Sequence, residues 1–500
     1  MDYLELLRLL GGEVLVVAAA LAVLFVDLGI MREQPARNRW MISGGVAVLG
    51  CIAGLFWCVQ GGVEGRSPGG LLAVDGLTQL VKAALLLMVL LTVLFSFHAG
   101  FTPHVGEYFS LLLLAAVGMM LMVSSENVLM VFVSLELTSL SLYILTAFNE
   151  ENPHGLEAAL KYFLFGGVAA AFLLFGLSLL YGLTGSLDLR EIAAGLRGRG
   201  ATPAMSAAVA LVVVGFGFKV AAVPFHLWAP DAYEGAPTPV AALVASGSKV
   251  ASFFLLGRVL MTGLPPEAGD PGWLKGGGGW GLALAVLAVV SLVLGNVAAI
   301  AQKRVKRLLA YSAVAHAGYV LVAMAALGFP SARAEAFASV LFYVVTYGLT
   351  TVGAFGLVGA MERGGAGDRL TDLAGACQRS PGLSMGLLIC FLSLAGIPPL
   401  AGFVGKFAVF ASALAGDGAS LSMLWLVVVA VAMSAVGLYY YLKVLKQVFV
   451  LPATGVMPAG RAGVAEAVGL WLACGGVVVL GLWPALLLDP LRQAIAAAGL

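Results

Sequence analysis

The chain has 500 residues, 61% of them hydrophobic and 11% charged, with a mean hydropathy of +1.02. No water-soluble fold of that size is so apolar. The net charge of +1 argues against a nucleic-acid partner, because holding phosphates needs a concentrated basic surface. An all-α polytopic membrane protein is what remains, with the lipid bilayer as its solvent.

Crossing a hydrocarbon core about 30 Å thick takes about 20 apolar residues at 1.5 Å each. Stretches of that kind predict about 14 transmembrane helices, with cores at 13–31, 40–60, 71–97, 107–124, 127–148, 157–182, 205–226, 238–261, 279–300, 308–327, 334–360, 383–414, 422–449 and 465–487. Asp2 and Glu5 precede the first stretch and no small-residue cleavage site follows it, so it reads as a retained helix. Loops after odd-numbered spans carry Arg32, Arg37 and Arg39, then Lys303, Arg304, Lys306 and Arg307. Basic loops stay inside, which predicts both termini on the outer side, although the 183–204 loop dilutes the bias.

Intramembrane charges are rare unless they face protein or water. Asp75 and Lys82 near the start of span three read as structural, and Glu107 and Glu126 as interfacial charges at span ends. Glu136 sits in VFVSLELTSLSLYIL of span five, and Lys161 in ALKYFLFGG near the start of span six, where snorkelling competes with a role. Span seven holds Lys219 ahead of Pro224 and His226; Lys219 and His226 lie seven apart, nearly on one face if the helix continued. Span eight contributes Lys249. On span ten, Ser312, His316 and Tyr319 share a face by their i, i+4 and i+3 offsets, which suits a hydrogen-bonded relay. Span twelve reads AGIPPLAGFVGKFAVF, with Pro398 and Pro399 ahead of Lys406.

Proline removes a backbone donor, so helices 7 and 12 should break, and broken helices are where transporters place ion sites. The two lie five spans apart. A duplicated five-helix unit inserts with opposite topology, because five is odd. That predicts two inverted repeats, spans 4–8 over residues 107–261 and spans 9–13 over 279–449, between helices 1–3 in 1–106 and helix 14 at 465–487.

Loops are short, so chemistry must occur within the bilayer. Transporter, channel, quinone-site subunit and structural anchor are the open classes. Cys51, Cys58, Cys377, Cys390 and Cys474 lack the close spacing of zinc or iron–sulfur sites and read as small packed hydrophobes. The Gly276–Gly279 run joins no strand to a helix and reads as a loop. No metal or cofactor is expected on this chain. Lysine, glutamate and histidine do suit proton transfer. Low dielectric disfavours the charged form, an adjacent carboxylate favours it, and moving the partner switches the proton; histidine exchanges protons at both nitrogens. A structural ion pair locking two helices is the alternative for Glu136 and Lys219.

The run GFKVAAVPFHLWAPDAYEGAPTPVAALVASGSKVASF, with VSLELTSLSLYIL, LLAYSAVAHAGYV and LAGIPPLAGFVGKF, resembles the subunit N type of bacterial NADH-quinone oxidoreductase, respiratory complex I. That type belongs to an antiporter-like group with subunits L and M and the Mrp-type cation/proton antiporters. Those relatives show KSAQ before the proline and a histidine after TPV; here Lys219-Val-Ala-Ala and Ser246-Gly-Ser-Lys249 stand instead, and no long C-terminal extension follows span fourteen. The resemblance implies Glu136 and Lys219 as an ion pair, Lys249 as the neighbouring relay, Lys406 as the lysine of the second half, and His226 and His316 as bridges, with Lys161 a further candidate. It also implies that NADH, FMN, iron–sulfur clusters and quinone are handled by the complex through other subunits. The partners would be neighbouring antiporter-like and small membrane-arm subunits, in a bacterial inner membrane. A stand-alone cation/proton antiporter and a purely structural membrane subunit are the competing readings.

Overall fold

In the computed structural model, described over residues 3–198, 202–269, 279–364, 367–415, 422–453, 460 and 462–500, apolar stretches fold as helices because only intrasegment hydrogen bonding satisfies the backbone in hydrocarbon. In chain order these are α1 (Tyr3–Leu9), α2 (Gly11–Phe25), α3 (Ala36–Phe56), α4 (Gly76–Ser96), α5 (Val105–Val123), α6 (Val128–Thr146), α7 (Pro153–Thr184), α8 (Leu189–Leu196), α9 (Pro203–Lys219), α10 (Trp228–Gly235) and α11 (Thr238–Ala245). There follow α12 (Gly247–Thr262), α13 (Trp280–Ile300), α14 (Val305–Ala326), α15 (Arg333–Arg363), α16 (Ala376–Arg379), α17 (Pro381–Ala395), α18 (Ala401–Ala415), α19 (Leu424–Phe449), α20 (Val464–Leu482) and α21 (Ala485–Ala497). A small antiparallel hairpin, β1 (Gly65–Arg66) with β2 (Ala73–Val74), precedes α4.

Polar caps set several starts. The Asp75 side chain accepts from the Thr78 amide at 2.7 Å and opens α4, the Asn127 side chain accepts from the Leu129 amide and opens α6, and Asn152 with Pro153 opens α7. Gly185 ends α7 with φ of 75°, a left-handed conformation that glycine adopts without a Cβ clash.

Among the described residues, twelve helical stretches are long and apolar enough to cross a bilayer, with α11 and α12 taken as one. The two predicted spans outside that set are the interrupted ones. Span seven was predicted to reach residue 226, but α9 ends at Lys219 and Ala221 adopts φ of 57°, a conformation costly for a residue with a Cβ. Lys219 and His226 therefore share no helical face. Span twelve divides into α17 and α18, with Gly396 at φ of 85° after α17. The structure adds a third interruption inside span eight, at Ser246, whose φ and ψ of −116° and −83° separate α11 from α12. The glycine run at Gly276–Gly279 lies outside the described residues, apart from Gly279 at the start of α13.

The centre is α14 and α15. Every residue of α15 from Ala336 to Met361 is buried, and the helix runs unbroken for 31 residues against α11, α12, α14, α17, α18 and α20. Helix α13 lies hard against α14 through two glycines. A Cβ on Gly318 would stand 2.9 Å from the Leu292 backbone nitrogen, and one on Gly295 would stand 2.6 Å from that of Ala315. Small residues at such crossings let backbones approach closely.

Candidate functional site

An interrupted helix leaves backbone groups without partners, and inside a membrane these must be met by other protein groups. At the first break, the Val223 amide donates to Ser291 Oγ of α13 at 2.9 Å, and Trp228 Nε1 donates to the Phe218 carbonyl at 3.0 Å. The Val220 carbonyl accepts from Lys249 Nζ at 2.9 Å; Lys249 also donates to the Ala313 carbonyl of α14 at 3.0 Å. At the second break, the Gly402 amide donates to Ser393 Oγ at 3.1 Å. Lys406 Nζ donates to the Leu394 and Ala395 carbonyls at 3.1 and 3.0 Å and to Ser434 Oγ at 2.9 Å. Both buried lysines thus sit on the carbonyl end of a terminated helix, which carries partial negative charge.

Lys219 is the last residue of α9 and half-buried. Its ammonium donates to Ser139 Oγ of α6 and lies over the rings of Phe218 and Tyr143, 5.4 and 5.7 Å from their centroids. Glu136, one turn before Ser139, is within electrostatic reach of Lys219 but not within ion-pair distance of it. Its Oε1 is buried with no hydrogen-bond partner among the described residues. The expected direct ion pair is therefore open in this structure, and a serine holds the lysine instead.

His316, buried on α14, is held at both ring nitrogens: Nδ1 by Tyr343 Oη at 2.7 Å and Nε2 by Tyr441 Oη at 3.0 Å. Tyr441 also bonds Ser312 Oγ, so Ser312 and His316 are joined through a tyrosine of α19 and not directly along their own helix. Tyr319, the third residue of that face, stacks edge-on to His316 at 5.6 Å. His226 is buried, with Nδ1 lacking a hydrogen-bond partner among the described residues and its ring 6.4 Å from that of Tyr311.

Lys161 stands apart from this row. Its side chain is 41% exposed and pairs with Glu157 at 2.7 Å and Asp231 at 2.9 Å, in a surface network that includes Arg307, Glu234 and Arg304. Burial works against it, yet hydrogen bonds from Lys161 and Arg307 hold the Asp231 carboxyl below its ordinary value. Glu126, read as an interfacial charge, is wholly buried near the hairpin and paired with Arg66, Arg190 and Arg258. Asp75 pairs with Arg258, and Lys82 with Glu13 at 2.8 Å, in keeping with their structural reading.

Sequence reasoning missed Ser139, Ser291, Asn296, Tyr343, Ser434 and Tyr441. The available signal was polar atoms inside apolar spans, above all the triple tyrosine at 439–441 and the lone amide in LVLGNVAAI.

A family described as NADH:quinone oxidoreductase/Mrp antiporter, TM, matches residues 125–435. The chain is 45% identical to NADH-quinone oxidoreductase subunit N 2 of Acidobacterium capsulatum, over 98% of this chain and 99% of that protein. It is 40% identical to subunit N of Desulfovibrio desulfuricans, over 96% and 95%. It superposes on a chain of respiratory complex I from Thermus thermophilus with a TM-score of 0.76 at 35% identity, covering 96% of this chain and 98% of that one. A chain of the Mrp complex from Dietzia sp. superposes with a TM-score of 0.81 at 22% identity, covering 99% and 97%, a likeness of fold alone.

Proposed function

The chain belongs to the NADH-quinone oxidoreductase subunit N family, and from that premise we propose that it translocates protons as one membrane subunit of such a complex, beside other membrane-arm subunits. The observation that carries this reading is the buried row of Lys249, His316 and Lys406, two of them seated on the carbonyl ends of interrupted helices, with Lys219 and Glu136 beside the first break. In this reading the chain makes fourteen crossings of a bacterial inner membrane with both termini outside. Residues 107–261 and 279–449 form two inverted five-helix units, residues 1–106 hold the first three helices and 465–487 the last. Oxidation of NADH and reduction of quinone belong to other subunits, with their FMN and iron–sulfur clusters, and this chain serves the translocase without a redox site of its own.

Each step falls to groups of this chain. When the Glu136 carboxylate closes on Lys219 it favours the ammonium, and when it withdraws, the lysine gives up a proton more readily. Lys249, held by the carbonyls of Val220 and Ala313, carries the proton on to α14. His316 takes it at one nitrogen and releases it at the other, and Lys406 delivers it in the second half. His226 lies beside the first break as a bridging station, and Lys161, in its surface network, is a collector at the rim. Against 100 mV each charge costs about 2.3 kcal/mol to move, and the opening of one buried ion pair is a change of that order.

The test is quinone reduction measured alongside proton pumping in membranes carrying Lys219→Ala, once normal assembly of the complex is established. Joint collapse of both activities is expected. An assembled complex that keeps full electron transfer and full pumping would make Lys219 structural and end this mechanism.

A further inference from the structure

Asn296 of α13 is wholly buried among the residues just described. Its Nδ2 donates to the Leu292 carbonyl at 2.8 Å and reaches Tyr319 Oη at 3.5 Å, while Oδ1 accepts from Tyr440 Oη at 3.2 Å. A backbone carbonyl only accepts, so the Leu292 contact fixes which way the amide faces. The hydroxyl hydrogen of Tyr440 is thereby committed to Asn296, and the oxygen of Tyr319 receives from it.

Follow the contacts outward. Tyr440 packs against Tyr441, with ring centroids 4.4 Å apart, and Tyr441 meets His316 Nε2 and Ser312 Oγ. Tyr319 lies under the Lys406 ammonium, 4.8 Å from its ring centroid, and Lys406 Nζ donates to Ser434 Oγ. One row of polar groups therefore runs from His316 to Lys406, with Asn296 at its middle. The other side chains along it are hydroxyls, an imidazole and an amine, and a neutral group of each kind both accepts and gives a proton. The amide does not. Its nitrogen has no free lone pair, so passing a proton from Tyr440 to Tyr319 would require Oδ1 to gain one while Nδ2 loses one, leaving the unfavourable imidic acid.

We propose that Asn296 is a positioning residue that insulates: its hydrogen bonds to Tyr440 and Tyr319 tie the His316 and Lys406 segments together while no proton passes through the amide itself, so that transfer from His316 to Lys406 in turnover requires the groups around it to rearrange and the resting complex stays tight. The inference rests on the relay reading given above. A mere structural tie between α13, α14 and α19 would predict no effect on passive proton leak.

Asn296→Asp keeps the shape and replaces the amide NH2 with a hydroxyl, because a buried acid without a cationic partner stays neutral. A carboxyl takes a proton on one oxygen and gives it from the other, so this variant should conduct. In membrane vesicles holding the assembled complex, an imposed pH gradient should decay roughly tenfold faster without substrate, and the protons pumped per NADH should fall. Asn296→Leu, apolar and of similar size, should leave the vesicles tight and the pumped ratio at its wild-type value, with turnover slowed about threefold because two tyrosines lose their shared partner. If Asn296→Asp does not assemble, Asn296→Ser carries the same expectation of leak, since a hydroxyl also relays. Vesicles as tight as wild type with the conducting variant overturn the proposal; so does an assembled Asn296→Leu complex that has lost pumping, which would make Asn296 a required link. Lys406→Met separates the two layers. Normal pumping there sinks the relay reading itself, whereas lost pumping there beside a tight Asn296→Asp sinks only the insulator.

Discussion

The helices interrupted near proline, spans seven and twelve, solve one problem with different means. Each ends in free carbonyls inside the membrane, and each end receives a lysine ammonium, Lys249 on α9 and Lys406 on α17. Beyond that they part. The first break has a second lysine, Lys219, with a carboxylate close by and a serine in contact. Among the described residues the second has no acidic side chain paired with Lys406; Ser434 and the face of Tyr319, 4.8 Å from the ammonium, stand there instead. A helix end is thus enough to seat a buried lysine. The carboxylate is not needed for seating, which leaves switching as its use.

That contrast can be broken experimentally. The largest effect is expected from Lys406→Met, which leaves the α17 carbonyls unpaired and removes the carrier of the second half; pumping in assembled complex should fall about a hundredfold or more. Glu136→Gln should come next. Lys219 keeps Ser139, so assembly holds, while coupled quinone reduction drops about tenfold; an unchanged rate would remove the distinction between the halves. Ser139→Ala and Ser434→Ala form a matched pair, each deleting one hydrogen bond to an ammonium, with about 1.5–3 kcal/mol at stake. Ser434→Ala should have the milder effect, since Lys406 retains two carbonyls, and a comparison of pumping rates reads the difference directly. Smallest of all should be Lys161→Ala, which removes solvent-screened surface pairs with Glu157 and Asp231 and should change pumping by less than about threefold.

Much of this contrast was legible in the chain. Prolines at 224 and at 398–399 marked both interruptions, because the loss of a backbone donor is a local fact. Lys219, Lys249, Lys406 and His316 stood out by charge in apolar surroundings. What the sequence hid was partnership. Ser246 interrupts α11–α12 with no proline to announce it, and the end of α9 at Lys219 depends on Ser291 and Trp228 satisfying the freed groups from elsewhere. Asn296, Tyr343 and Tyr441 matter through the hydrogen bonds they share across α13, α14, α15 and α19, and no spacing within one helix encodes such a meeting. At Lys161 the chain left snorkelling and a role side by side, and its long side chain does reach surface carboxylates outside the buried row.

The uninterrupted α15 has a consequence of its own. Thirty-one residues at 1.5 Å each make a rod about 46 Å long, longer than the hydrocarbon layer. From Ala336 to Met361 every residue of it is buried within the protein, so a thicker or thinner bilayer acts on it through the helices around it. Tyr343, which holds His316, is mounted on that rod. The histidine is thereby referenced to the protein's own frame, and its alignment should be insensitive to lipid composition even while the outer helices tilt to match their surroundings.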